Sequence, residues 1–64
     1  MNQVEAIKSL MEITGRLRDR LKTLRLMKQS APEDMYAEIE QLISEAEEIL
    51  RKVELELSRF VGIA

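Results

Sequence analysis

Carboxylates are the most numerous side chains in this sequence that could do chemistry, and nine of the twelve lie between residues 30 and 64. A catalytic pair of carboxylates needs a cleft and two unlike environments. Glu47 and Glu48 are instead followed four residues later by Arg51 and Lys52, a spacing that supports a solvated helix surface. We therefore interpret the acidic residues as a solvated helix face.

Other kinds of catalytic and metal chemistry lack their usual residues. The sequence has no His and no Cys, so the common ligands of zinc and haem iron are missing, and the serines have no His to activate them. It also has no Gly-rich phosphate-binding loop. The sequence therefore predicts neither an enzyme, nor a metal site, nor a cofactor.

A basic run between residues 15 and 25 is the best candidate for a nucleic-acid face, because Arg and Lys on one helix can contact successive phosphates. Arg16, Arg20 and Lys22 are its candidate contact residues. Asp19 interrupts the run, and no aromatic side chain is present to stack on bases. We favour the alternative that the run pairs with the acidic half of the chain and keeps the surface solvated.

The elements that carry these residues are two amphipathic helices. A coiled-coil spacing of apolar residues predicts helix one over about residues 3–28. Its seam residues are Ile7, Leu10, Leu17, Leu21 and Leu24. Gly15 is a weak position in this helix, and we interpret it as a tolerated exposed site, with a hinge or a close backbone contact as the alternative.

Helix two is predicted over about residues 32–61, and its apolar face is wider than a two-stranded seam requires. The seam residues are Tyr36, Ile39, Ile43, Ala46, Leu50, Val53, Leu57 and Phe60. The additional apolar residues at the neighbouring heptad position are Met35, Leu42, Ile49 and Ile63. This excess predicts a third and a fourth helix, which a second copy of the chain would supply.

A turn at about residues 29–31 connects the helices, and it is too short for anything but an antiparallel return. Ser30 and Glu33 have the spacing of a capping box, with Pro32 in the first turn of helix two.

The two halves of the chain carry opposite net charge. Residues 1–29 carry seven basic and three acidic side chains (+4), whereas residues 30–64 carry three basic and nine acidic side chains (−6). In the predicted hairpin, Arg18 and Arg25 flank Glu40.

Composition and length indicate the class of protein and its expected location. A chain of 64 residues with 45% hydrophobic and 34% charged residues is typical of a small folded helical unit that gains stability by oligomerising. No secretory signal and no apolar run of about 20 residues is visible, so we expect a soluble cytoplasmic protein without a membrane segment.

Two resemblances bear on function. Ala46-Glu47-Glu48-Ile49-Leu50-Arg51, with Arg59-Phe60 near the end, resembles the Rop family of plasmid copy-number regulators. That resemblance implies an antiparallel hairpin that dimerises into a four-helix bundle and binds paired RNA loops. Helix one has no aromatic residue, unlike the family's RNA face, so only the architecture is carried over. In size and charge pattern the chain is also similar to small co-chaperones of type III secretion.

The sequence as a whole predicts an all-α antiparallel hairpin that dimerises into a four-helix bundle. Its predicted function is a non-enzymatic interaction module, acting as a small assembly, adaptor or regulatory protein. The alternatives are a Rop-like RNA-binding regulator and a small secretion co-chaperone. Contacts between hairpins are expected at Met35, Tyr36, Leu42 and Ile49. The full self-association set also contains Ile7, Leu10, Leu17, Leu21, Leu24, Ile39, Ile43, Ala46, Leu50, Val53 and Phe60.

Overall fold

The computed structural model describes residues 2–61, with the side chain of Val61 left out, and it confirms the two-helix hairpin. Helix α1 spans Gln3–Ser30, a single 3₁₀ turn spans Glu33–Met35, and helix α2 spans Tyr36–Val61. The two long helices pack side by side in a rod of 46 × 17 × 17 Å. Ile63, predicted to extend the apolar stripe of helix two, lies outside the described residues.

Helix α1 begins at a side-chain cap and continues without a break to the turn. The Asn2 carboxamide oxygen accepts a hydrogen bond from the backbone N–H of Glu5 at 2.9 Å. Glu5 in the first turn and Lys28 in the last turn complement the helix dipole. A Cβ built on Gly15 would meet nothing within 4 Å, so this glycine makes no close backbone contact inside the hairpin.

The connection between the helices differs from the predicted capping box. Ser30 is the last residue of α1, and its hydroxyl donates to the Met27 carbonyl at 3.4 Å instead of capping helix two. Ala31 is extended because it precedes proline, and this ends α1. Pro32 is also extended, and its carbonyl accepts from Met35 N–H at 3.0 Å. The prediction of a Ser30–Glu33 box is therefore wrong, since a separate 3₁₀ turn intervenes.

The buried core lies in the half of the hairpin next to the turn. Its members, all at most 8% exposed, are Leu21, Leu24, Ile39, Ile43 and Ala46. Ala31 and Leu50 pack against this cluster. Toward the open end of the hairpin the seam residues Ile7, Leu10 and Val53 are only half-buried. The hairpin therefore has a small core and a loosely covered open half.

Within residues 2–61, three ion pairs join the helices along one side of the seam. Arg18 pairs with Glu54 at 2.6 Å, Arg25 pairs with Glu47 at 2.9 Å, and Lys28 pairs with Glu40 close to the turn. The prediction that Arg18 and Arg25 flank Glu40 is therefore wrong. Helix side chains lean toward the N-terminus of their own helix. In an antiparallel pair they lean in opposite directions, so each arginine meets a glutamate farther toward the open end.

Candidate interaction surface

The seam between the helices divides the remaining surface into two unlike flanks. One flank, which we term the charged flank, holds the interhelical ion pairs. Its residues are Arg18, Arg25, Lys28, Glu40, Glu47 and Glu54. The opposite flank, which we term the apolar flank, is formed by the heptad positions on the other side of the seam. Its residues are Ile13, Met27, Met35, Leu42 and Ile49.

The apolar flank is exposed in the isolated chain. The exposed fraction is 41% for Ile13, 48% for Met27, 43% for Met35, 40% for Leu42 and 50% for Ile49. Soluble proteins seldom leave such a row of large apolar side chains open along one face. The flank is therefore the strongest candidate for contact with another molecule.

A hollow of about 100 Å³ lies in the middle of this flank. Leu42, Glu45 and Ile49 of α2 and Arg20 of α1 border it, while Leu17 and the buried Ala46 lie deeper. Because Ala46 is small, it leaves room between the helices at this level. A hollow with large apolar side chains at its rim is suited to receive a side chain from a neighbouring helix, as in knobs-into-holes packing.

The predicted self-association residues occupy three different environments. Leu21, Leu24, Ile39, Ile43 and Ala46 are buried between the two helices of one chain. A second group is half-buried along the seam and comprises Ile7, Leu10, Leu17, Leu50, Val53 and Phe60. The remaining four are exposed and comprise Met35, Tyr36, Leu42 and Ile49. Within one chain, the first group forms the core of the hairpin and the last is open to a neighbour.

Tyr36 lies apart from the other three exposed residues. The Lys28 ammonium lies 5.8 Å from the centre of its ring, and both side chains line a hollow together with Arg25 and Glu40. Tyr36 is therefore placed beside the charged flank at the turn, whereas the predicted contact set grouped it with Leu42 and Ile49.

Two members of the apolar flank, Ile13 and Met27, were absent from the predicted association set. Both occupy the heptad position of α1 that corresponds to Met35, Leu42 and Ile49 on α2. The seven-residue repeat of the α2 stripe is also present here, at residues 13, 20 and 27 of α1. Arg20 occupies the α1 position between them, and it obscures the stripe in the sequence.

The candidate nucleic-acid residues do not share one face. Arg16, Arg20 and Lys22 are all exposed. At 100° per residue, Arg16 and Arg20 lie about 40° apart around α1, but Arg20 and Lys22 lie about 160° apart. Arg20 borders the hollow of the apolar flank. The structure therefore brings Arg16 and Arg20 together and separates them from Lys22.

A second apolar area lies at the open end of the hairpin, on the side of the charged flank. Val4 is 73% exposed and Met11 is 59% exposed. Met11, Thr14 and Leu57 line a hollow of about 350 Å³ there, next to the Arg18–Glu54 pair. This area is less extended than the apolar flank, since ion pairs occupy the rest of that side.

Membrane-spanning helices and metal-binding clusters are both absent from residues 2–61. Neither helix has an apolar stretch long enough to cross a membrane. In the same residues, no three acidic side chains are grouped so that they could hold a metal ion.

Comparison with known proteins adds no relative. No family model matches the sequence, and no curated protein or solved structure is significantly similar to it. The fold therefore defines the class of this protein as a two-helix antiparallel hairpin, and its function has to be argued from its own surface.

Proposed function

We propose that this chain is a non-enzymatic protein–protein interaction module that self-associates through the apolar flank. Two hairpins that bury their apolar flanks against each other form a four-helix bundle. The observation that carries the proposal is the exposed apolar row on this flank, opposite the flank on which ion pairs join the helices.

The energetic argument rests on how little one hairpin buries. The part of the chain that the structure describes has five buried hydrophobic core residues, and domains of this size commonly need a second source of stability. The sequence has no cysteine, and thus no disulfide. Full burial of a large apolar side chain contributes about 1.5–3 kcal/mol, so each half-exposed residue of the flank still has about 1 kcal/mol to gain. Association through this flank recovers that energy.

A Rop-like RNA-binding regulator is the second candidate, supported by one observation. Arg16 and Arg20 are exposed one turn apart on α1 and can contact neighbouring phosphates. Asp19 lies between them in sequence, and Lys22 is on another side of the helix. RNA binding therefore has less support than self-association.

The secretion co-chaperone proposal requires the apolar flank to bind a different protein.

The test compares apolar-to-acidic substitutions on and off the flank by light scattering over a dilution series. Leu42→Asp and Ile49→Asp are expected to convert a dimer into a monomer that keeps its helical circular dichroism. Leu55→Asp is the matched control, because Leu55 is 59% exposed and projects away from the seam. We expect this control to remain a dimer. If Leu42→Asp and Ile49→Asp both leave a folded dimer, the apolar flank is not the association surface.

A further inference from the structure

The apolar flank is unevenly distributed along the hairpin. Its large apolar side chains lie between the turn and the middle of the rod, at Ile13, Met27, Met35, Leu42 and Ile49. One heptad farther toward the open end, the same positions hold Ala6 on α1 and Glu56 on α2. Within residues 2–61, the flank is therefore apolar in the half next to the turn and lacks large apolar side chains at the open end.

The contacts between the helices fix which of their residues lie at the same height along the rod. Near the open end, the Gln3 amide donates to the Phe60 carbonyl at 3.5 Å. In the middle, Leu17 and the buried Ala46 line one hollow. Because the helices are antiparallel, a step along α1 away from Leu17 is matched by an equal step in the opposite sense along α2 from Ala46.

This register makes the two stripes of the flank match each other. Ile13 of α1 lies at nearly the same height as Ile49 of α2, and Met27 lies at nearly the same height as Met35. Each stripe is therefore apolar at the heights at which the other is apolar. A second copy of this chain can supply, on its own flank, apolar residues at each of these heights.

We infer that the second copy packs on the apolar flank with its turn at the same end, so that its α1 lies along this α2. Ile49 then meets the partner's Ile13, and Met35 meets the partner's Met27. Two-fold symmetry repeats both contacts. This inference rests on the proposed self-association, and it adds the orientation of the two hairpins and the residues that meet between them.

The other two-fold arrangement, with the turns at opposite ends, matches the flanks less well. Each apolar turn end then lies against an open end, where Ala6 and Glu56 occupy the flank. Met27 and Met35 lose their apolar partners, and the Glu56 carboxylate faces apolar surface. Since the stabilisation grows with the apolar area removed from water, two flanks that are apolar in the same half associate best when those halves coincide.

The charged residues beside the flank do not decide between the two arrangements. Arg20 and Glu45 line one hollow of a single chain. With the turns together, the partner's Arg16 and the partner's Arg20 lie on either side of Glu45. With the turns apart, these arginines meet the same arginines of the other copy, but Glu45 then lies near the partner's Lys52. Attraction is therefore available in both arrangements, and the apolar residues select the orientation.

Disulfide cross-linking measures the orientation, because the chain has no cysteine of its own. Ile13→Cys and Ile49→Cys are prepared as separate chains, one of them tagged, then unfolded together, refolded and oxidised. Cysteine is small and apolar, so both variants keep the flank apolar. With the turns together, the two sites face each other across the interface. The mixture should then cross-link at least about tenfold faster than either variant alone, since a disulfide needs closely spaced Cα atoms.

A control mixture separates this contact from random collisions. Leu55→Cys takes the place of Ile49→Cys, because Leu55 is 59% exposed and lies off the flank. We expect this mixture to cross-link no faster than Ile13→Cys alone. A control mixture that cross-links as fast as the test mixture would overturn the assignment of the contact.

The remaining outcomes separate the orientation from self-association. Ile49 lies beside the midpoint of α2, which spans Tyr36–Val61. With the turns apart, two α2 helices are neighbours, so the Ile49→Cys variant would cross-link to itself. That result, or a dimer whose mixture forms no cross-link, overturns the orientation and leaves self-association standing. A parent chain that stays monomeric by light scattering overturns both.

Discussion

Arg18 donates a hydrogen bond to Glu54 at 2.6 Å, joining the two helices across 36 residues of sequence. Together with the Arg25–Glu47 pair at 2.9 Å, it places ion pairs on one flank of the hairpin. The opposite flank carries exposed apolar side chains. One flank therefore joins the two helices of the hairpin, and the other is the proposed association surface.

The ion pairs are expected to align the helices without adding much stability. A double-mutant cycle with Arg18→Ala and Glu54→Ala should give a coupling free energy of about 0.2–1 kcal/mol, because both side chains are about half exposed. Chemical unfolding at low and at high salt measures this coupling and its screening. A coupling well above 1 kcal/mol that salt does not reduce would contradict this interpretation.

Replacing Gly15 with alanine is expected to stabilise the protein by about 1 kcal/mol. Gly15 is inside a continuous helix, its φ is not positive, and a Cβ there meets nothing within 4 Å. Thermal unfolding followed by circular dichroism measures the change. A loss of stability or of dimerisation in Gly15→Ala would show that another molecule approaches the backbone at this position.

Core substitutions should cost far more than substitutions on the outer surface. Ile43→Ala removes a side chain that is 8% exposed and is expected to destabilise the protein by about 2–4 kcal/mol. Leu55→Ala removes one that is 59% exposed and should change stability by less than about 0.5 kcal/mol. Urea unfolding of the two variants gives the comparison. Equal losses would mean that Leu55 is buried in the associated protein.

Thr14 is a buried polar residue whose hydroxyl serves only its own helix. It is 5% exposed, and its hydroxyl donates to the Leu10 carbonyl at 2.8 Å. The Leu10 carbonyl is also the helical acceptor for the backbone N–H of Thr14, so it does not need the hydroxyl. Thr14→Val should therefore keep the shape of the side chain and raise the free energy of unfolding by about 0.5 kcal/mol or more. Thr23→Val, at an exposed position, is the control and should be close to neutral. Destabilisation by Thr14→Val would indicate a further role for the hydroxyl.

The periodicity of the sequence predicted the hairpin because apolar spacing reports which side of a helix is buried. Leu24 and Ile39, both predicted to be seam residues, belong to one buried cluster. The partners of Arg18 and Arg25 were predicted wrongly, since heptad positions do not include the lean of side chains along the helix. The end of α1 depended on the extended backbone of Ala31, which a capping pattern at Ser30 could not reveal.

The candidate surface could be predicted only in part from the sequence. The heptad pattern placed Ile39 in the seam and Leu42 and Ile49 beside it, but it does not give the exposed fraction that one hairpin leaves to each side chain. The packed hairpin supplies that fraction, 3% for Ile39 and 50% for Ile49. The same packing shows that Ile13 of α1 belongs to the same flank as Ile49.

The most direct test of self-association is solution mass over a dilution series, with Leu42→Asp beside Leu55→Asp. We predict a parent mass close to twice 7.4 kDa, a monomer for Leu42→Asp with its helicity retained, and a dimer for Leu55→Asp. A parent chain that stays at 7.4 kDa at every concentration would contradict self-association and would favour a different protein as the occupant of the apolar flank.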